Sequence, residues 1–405
     1  VKLNILFVST RNPYPPDHGH TIRTYNTLKC ISKGNNIYLL AFVESKEKLN
    51  IGPLKKFCKT VDFFIIPEDV KKWRFFLSLF FNVFSPLPFV AHKYYRKEMR
   101  KKIEQVLTEY KIDIVHLDML PLARYFKVVK AYPTVLVDHN VESLRILRWA
   151  EIEKNILTKM YMYLQYLKLF KFEKKMCSKF DRCITVSEFD KKALENLCPN
   201  GRFTIIPNGV DTEYFKGNNI KIVPNSLIWV GGMRSLYNRE AVNYFVDEIL
   251  SLIQLEIPDV KVTFVGSSPP QKLFEISKIN SSIRYTGFVE DVRPYVEEAA
   301  VYIAPIRSGS GTKLKILNAL SLSKAVVTTS IGAEGIDVTP NENILIADSP
   351  QDFAQKTIEL LRNPDIAEKI GKAGRKLIEG KYNWKIICSK MNQVYEEIIK
   401  EGISK

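Results

Sequence analysis

Carboxylates are the scarcer charge in this chain: 44 Asp and Glu stand against 60 Lys and Arg in 405 residues, a formal net charge of +16. Such an excess attracts anions, whether nucleic acid, lipid headgroups or phosphorylated small molecules. No nucleic-acid-binding module is present to receive the first of these, so no nucleic acid partner is expected. The six cysteines are scattered without a C-x-x-C pair. That spacing offers no zinc or redox motif and no disulfide framework, as expected for a reducing cytoplasm. No D-x-D sequence occurs, and no metal site is expected. The aromatic run Phe75 to Phe84 (FFLSLFFNVF) is ten residues long, too short for a bilayer span of about 20. The chain enters a strand pattern at Asn4 with no basic, cleavable leader before it, so no secretion signal is expected.

What is present is apolar enough for large cores, with 46% hydrophobic and 11% aromatic residues. The length predicts two domains of roughly 200 residues each. Short β-branched runs alternate with helical patterns throughout, which predicts an α/β architecture with parallel sheets. Strands are expected at Asn4 to Ser9, Ile37 to Val43, Val61 to Ile66, Ile112 to Leu117, Thr134 to Val137, Asp181 to Val186 and Phe203 to Ile206. One long helix is expected from about Leu144 to Ser178. Residues 216–225 are polar and rich in Gly, Asn and Pro, and read as a linker. A second alternating set starts at Leu227. It includes an amphipathic helix from Glu240 to Ile253 and ends in a helix from Trp384 to Lys400, where Ile387, Met391, Val394 or Tyr395, and Ile398 fall at helical spacing.

One stretch organises the second half. In Ala304 to Gly335, a buried strand ends at Pro305, and Arg307-Ser308-Gly309-Ser310-Gly311-Thr312 forms a loop with little Cβ bulk. The helix from about Lys313 to Leu322 aims its free N–H groups into that loop, an arrangement suited to a phosphate. Lys315 and Asn318 share one side of this helix, while Leu314, Leu317 and Leu320 supply apolar positions for the other. Taken alone, the stretch is equally an ordinary βα turn.

In the first half, His18-Gly19-His20 follows the first strand, and Asp138-His139-Asn140-Val141-Glu142 follows a later one. Polar groups at the ends of buried strands are where α/β proteins place ligand contacts. The run Phe75 to Phe84 is flanked by Lys71, Lys72 and Arg74 and by Lys93, Arg96, Lys97, Arg100, Lys101 and Lys102. Two readings stay open for it: an interfacial segment meeting an anionic membrane surface, or a helix packed inside the first domain.

The stretch from Ala304 to Gly335, with Pro305, Arg307, Gly309, Gly311, Lys315, Leu317, Ala319 and Val326-Val327-Thr328-Thr329, resembles the donor segment of the family 4 (group 1) retaining glycosyltransferases of the GT-B fold. It is similar to the branch reading P-x-R-x-G-x-G-x-x-x-K. Further segments resemble the same family: Gly19 and Arg23 after the first strand, Ile206-Pro-Asn-Gly-Val-Asp211, and Thr286-Gly-Phe-Val-Glu-Asp-Val-Arg-Pro-Tyr295. Two glutamates of the family pattern are replaced, by Ser310 and Asn318.

The resemblance implies two Rossmann-like domains facing a central cleft, an acceptor-side domain at 1–215 and a nucleotide-sugar-binding domain at 226–380. It further implies that 381–405 forms a helix packing back on the first domain. It implies sugar transfer from a nucleotide-diphosphate donor, a co-substrate and not a cofactor, to a saccharide or lipid-linked acceptor, without metal. Donor contacts implied are Gly19, Gly231, Arg234, Arg239, Arg307, Ser310, Gly311, Thr312, Lys315, Asn318 and Glu334, with Gly287, Phe288 and Val289 near the base. His139, Glu142 and Lys315 are the implied catalytic residues. A non-catalytic glycan- or nucleotide-sugar-binding relative and a GT-B epimerase are the alternatives. The expected location is cytoplasmic, on the inner face of the membrane if the aromatic segment is interfacial.

Overall fold

A computed structural model of the chain describes residues 2–45, 51–66, 72–218, 220–309 and 311–403. The chain divides into two units, Val1–Pro207 with Ile387–Lys405, and Asn208–Ile386. The first unit is built on β1 (Asn4–Ser9), β2 (Asn36–Val43), β3 (Thr60–Ile65), β4 (Ile114–Asp118), β5 (Thr134–Asp138), β6 (Arg182–Thr185) and β7 (Phe203–Ile205). These lie in the order β3-β2-β1-β4-β5-β6-β7, and each pairing is parallel. Ile5, Leu6, Phe7 and Val8 are all fully buried, as a continuous apolar run must be when both faces of a parallel sheet are covered.

The second unit repeats the plan with β8 (Val223–Val230), β9 (Lys261–Val265), β10 (Ile283–Gly287), β11 (Ala299–Ala304), β12 (Ala325–Thr328) and β13 (Leu345–Ile346). Their order is β10-β9-β8-β11-β12-β13, again all parallel. In each sheet the winding direction reverses once, between β1 and β4 in one and between β8 and β11 in the other. The connections leaving those neighbouring strands run to opposite sides, and their carboxyl ends are where open α/β sheets receive ligands. Both units are Rossmann-like.

The boundary falls at Pro207 and not at residue 215. Residues after it are tied into the second unit: the Val210 amide donates to Tyr382 O at 2.7 Å, Asn383 Nδ2 to Thr212 Oγ1 at 2.7 Å, and Arg375 Nη2 to Thr212 O at 3.0 Å. The expected linker 216–225 overlaps β8, which already starts at Val223. The long helix expected from Leu144 to Ser178 is two helices, Glu142–Ile152 and Ile156–Cys177. The break is a cap: the Asn155 side chain accepts from Thr158 N, and an Asn in this role starts a new helix. The amphipathic helix expected at Glu240 begins earlier, at Leu236, and passes through one wider turn at Phe245–Ile249 before continuing to Glu256.

The terminal helix Trp384–Ile403 docks on the first unit from Ile387 onward. Ile387, Met391, Val394, Tyr395 and Ile398 are buried. The Tyr395 hydroxyl meets His116 Nδ1 at 2.7 Å, and Glu401 pairs with Arg182 and Arg202. The expectation that no disulfide forms is corrected here. Cys30, at the end of helix Gly19–Ile31, is joined to Cys388 across 358 residues of sequence. Docking of the terminal helix decides that pairing, so local cysteine spacing carries no trace of it. Cys58, Cys177, Cys183 and Cys198 are free and buried.

The loops following β8 and β9 are packed backbone to backbone. Gly266 has φ +142°, and a Cβ there would lie 2.0 Å from Gly231 O and 2.6 Å from Gly231 C. Gly266→Ala is therefore expected to cost roughly 3 kcal/mol or more, since strain and overlap act together. Urea unfolding checks this, and a midpoint equal to wild type would refute the close approach.

Candidate functional site

In the second unit the strand ends at the reversal point are laced together. Gly231 N donates to Val265 O and Gly266 N to Gly287 O, both at 2.9 Å, so the ends of β8, β9 and β10 form one surface. Beside it, β11 runs into the loop that precedes helix Leu314–Ser321. Lys315, in the first turn of that helix, projects back over β8. Its Nζ donates to Asn238 Oδ1 at 2.7 Å and sits 4.2 Å from the centre of the Trp229 ring. Asn238 is itself fixed, because its Nδ2 donates to Gly232 O at 2.7 Å. A Cβ at Gly231 would stand 2.5 Å from Lys315 Nζ, so glycine there makes room for the ammonium.

Burial, with the Lys313 charge added, pushes the pKa of Lys315 down to about 7. Among the described residues no carboxylate pairs with it. Removing a cation from water without a counter-charge is costly, and a phosphate arriving here would supply that charge. The surrounding loop is ordered by its own bonds: Lys313 Nζ donates to Gly311 O at 2.7 Å, and Thr312 Oγ1 to Gly335 O at 3.3 Å.

The other expected donor contacts are placed as follows. Arg234, in the loop after β8, and Arg239, in the helix that begins at Leu236, are exposed, with Arg239 Nη2 donating to Arg234 O at 3.4 Å. Arg307 is engaged elsewhere: its guanidinium donates to Glu240 Oε1 at 2.6 and 2.8 Å and covers the Tyr244 ring at 3.6 Å. Asn318 and Glu334 are half-buried. Gly287 closes β10, Phe288 and Val289 follow it, and Phe288 presents its ring with 78% exposure. Ser310 lies outside the described residues.

The first unit has its own polar cluster at the reversal point. Asp118 closes β4, His139 follows β5, and His20 lies one residue into helix Gly19–Ile31, after Gly19. His139 Nε2 is 2.7 Å from Asp118 Oδ1, His20 Nε2 is 3.3 Å from Oδ2, and Thr24 Oγ1 donates to Oδ2 at 2.5 Å. Burial alone would raise the Asp118 pKa, but His139 and His20 hold it well below the usual carboxylate range. Burial lowers that of His139, with Asp118 opposing. A carboxylate only accepts, so each Nε2 carries its hydrogen, and in a neutral ring Nδ1 keeps a lone pair. The cluster thus offers two oriented acceptors suited to sugar hydroxyls. These three residues also place one ligand atom each within 4.8 Å of one another, the one set among the described residues with a metal-binding composition.

Glu142, expected as an acceptor contact, is turned inward. It is buried and its carboxylate binds Arg145 at 2.7 Å, while its amide donates to Glu173 Oε1 at 2.9 Å. Glu173 caps the helix starting at Glu142, and burial raises its pKa to about 7. Sequence reasoning passed over Asp118 and Asn238. The first had a signal, a carboxylate closing the apolar strand Ile-Val-His-Leu-Asp. The second had none, since one Asn in a polar connection has no period or motif around it.

The comparisons with known proteins bear on both units. The family described as "Glycosyltransferase Family 4" matches residues 74–214, and the family described as "Glycosyl transferases group 1" matches residues 224–363. The chain carries the two domains of a GT-B glycosyltransferase. Among relatives of this glycosyltransferase, an uncharacterized 44.6 kDa protein of the cps region of Klebsiella pneumoniae is 25% identical, covering 98% of this chain and 99% of the relative. The capsular polysaccharide biosynthesis glycosyltransferase CapM of Staphylococcus aureus is 23% identical over 55% of this chain and 63% of its own length. Sucrose-phosphate synthase of Thermosynechococcus elongatus shares the fold, with TM-score 0.69 and 16% identity over 99% of this chain and 100% of that one. So does Anabaena HepE, solved with UDP, with TM-score 0.67 and 12% identity over 98% and 100%.

Proposed function

We propose that this glycosyltransferase moves a sugar from a nucleoside-diphosphate donor to a hydroxyl of a cell-envelope glycan or lipid-linked saccharide, with retention at the anomeric carbon and without metal. The observation that carries the reading is Lys315, an ammonium held by Asn238 and Trp229 with no carboxylate partner among the described residues. The diphosphate supplies the missing charge, and Lys315 with the free amides of the Leu314–Ser321 helix stabilises it as it departs. Exposed Arg234 and Arg239 add positive charge after β8.

The bond between the anomeric carbon and the diphosphate oxygen breaks, and the acceptor oxygen bonds to the same face of that carbon. The acceptor proton passes to the departing phosphate oxygen, so a strong protein base is not required. That agrees with the inward, ion-paired Glu142. His139 and His20, fixed through Nε2, offer Nδ1 as acceptor for sugar hydroxyls.

A thermal-shift screen against UDP-, GDP-, ADP- and dTDP-sugars, with and without EDTA, tests the donor half. UDP-sugars come first, given the UDP-bound HepE relative. A donor at a hundred times its Kd is expected to add about 2.7 kcal/mol to the folded state. An EDTA-insensitive shift with one donor class supports the reading. No shift with any donor would refute it, and loss of the shift in EDTA would refute metal independence.

A further inference from the structure

The helix Lys72–Val83 wears its apolar face outward. Trp73, Phe76, Leu77, Phe80, Phe81 and the following Phe84 recur at the three- and four-residue spacing of a single helix face, and each is between 47% and 77% exposed. What the protein grips is the other side. Asn82 is buried, accepts from Gln165 Nε2 at 2.8 Å and donates to Leu87 O at 3.0 Å. Lys168 Nζ donates to the carbonyls of Asn82 and Val83 at 2.6 and 3.1 Å, closing the helix end. Phe75 meets the Phe89 ring edge to face at 5.6 Å. The helix is therefore anchored firmly, with polar contacts inward and a strip of large apolar side chains facing out. Scattered exposed hydrophobics are ordinary, but a contiguous strip marks an interaction site.

The charge around the strip selects the partner. From Lys71 to Lys97 the sequence contains no Asp or Glu, yet it includes Lys72, Arg74, Lys93, Arg96 and Lys97. Lys71 lies outside the described residues. Arg74 lies against the Trp73 ring, 5.4 Å from its centre. Aromatics beside basic residues, with no Asp or Glu between Lys71 and Lys97, complement an anionic lipid surface. No described helix is long and apolar enough to cross a membrane.

We propose that this helix docks the protein on an anionic bilayer, with Trp73, Phe76, Leu77, Phe80, Phe81 and Phe84 sunk to the headgroup boundary and the basic residues meeting lipid phosphate. The docking stands independently of the transfer reaction, and its test requires no turnover.

Flotation with phosphatidylglycerol/phosphatidylethanolamine vesicles, against phosphatidylcholine vesicles as the neutral control, reads it directly. Wild type is expected to float with the anionic vesicles, weakly with the neutral ones, and less as salt rises. Phe76→Ser/Phe80→Ser/Phe81→Ser is expected to lower the partition coefficient by about 100-fold at an unchanged Tm. Phe81→Asp, at a residue 65% exposed, is the second variant should the triple one fold poorly. Absence of wild-type flotation, or equal flotation by the variants, overturns the proposal. So does a wild-type dimer in light scattering that the substitutions convert to monomer, which would assign the strip to a second copy of the chain.

Discussion

Lys315→Met is expected to lower kcat/KM by about 10³-fold, the scale of removing one preorganised charge from a departing anion. Met keeps most of the stem that crosses the Trp229 ring, so the loss reports the ammonium and not the packing. The pH dependence gives a sharper reading. With its pKa near 7 in the folded protein and 10.5 as the ordinary value, Lys315 binds fewer protons folded than unfolded between those two values. Its contribution to stability therefore rises with pH across that window, and below it the buried charge is a full penalty. Donor binding works in the opposite sense. Both phosphates of a sugar nucleotide are already ionised near neutrality, and their charge favours protonated Lys315. Above pH 7, binding must take up a proton, and Kd is expected to weaken by about tenfold per pH unit until the pKa of the complex is reached. Calorimetry in buffers of different ionisation enthalpy measures that uptake. A Kd that is flat from neutral to alkaline pH, or a Met variant of normal activity, would remove Lys315 from the donor site.

The path from sequence to this site was uneven for physical reasons. The strands were legible because β1, β5 and β11 are largely buried apolar runs, and continuous hydrophobicity is local information. β1 lies at its expected bounds. The break at Asn155 was not legible in the same way. The residues on both sides keep helical composition, and one cap outweighs them. Lys315 is singled out by its position in the first turn, where the helix end disfavours a cation unless an anion comes near. Its holder Asn238 lies 77 residues away, reachable only because β8 and β11 are neighbours. The same holds for Asp118 with His20, and for Cys30 with Cys388. Each pair is brought together by strand order or helix docking, quantities that no window of sequence contains. Glu142 is the reverse case: chemistry at a strand end suggests a ligand contact, and in the helix it begins that carboxylate is buried and paired with Arg145.

Asp118→Asn is expected to separate catalysis from donor binding. The substitution preserves shape and burial but replaces a double acceptor by one acceptor and one donor. In wild type, Oδ1 accepts from His139 Nε2 and Oδ2 from His20 Nε2 and the Thr24 hydroxyl. An amide oxygen serves one imidazole in the original tautomer, and the amide NH2 forces the other to move its proton from Nε2 to Nδ1. That ring then presents a donor where the sugar hydroxyl needs an acceptor. A loss in kcat of about 10²-fold is expected, while sugar-nucleotide Kd, set by Lys315 in the other unit, stays at its wild-type value. Asp118 is thus a positioning residue, and a merely structural role would not produce that split. The imidazoles give an independent readout. Burial lowers the His139 pKa and the Asp118 charge opposes that fall, so removing the charge moves it lower still. The acid limb of the pH–rate profile, if it reports His139, shifts to lower pH in the variant. Full turnover in Asp118→Asn, an equal loss of donor affinity, or an NMR titration of His139 that moves upward would each overturn the assignment of the cluster to hydroxyl recognition.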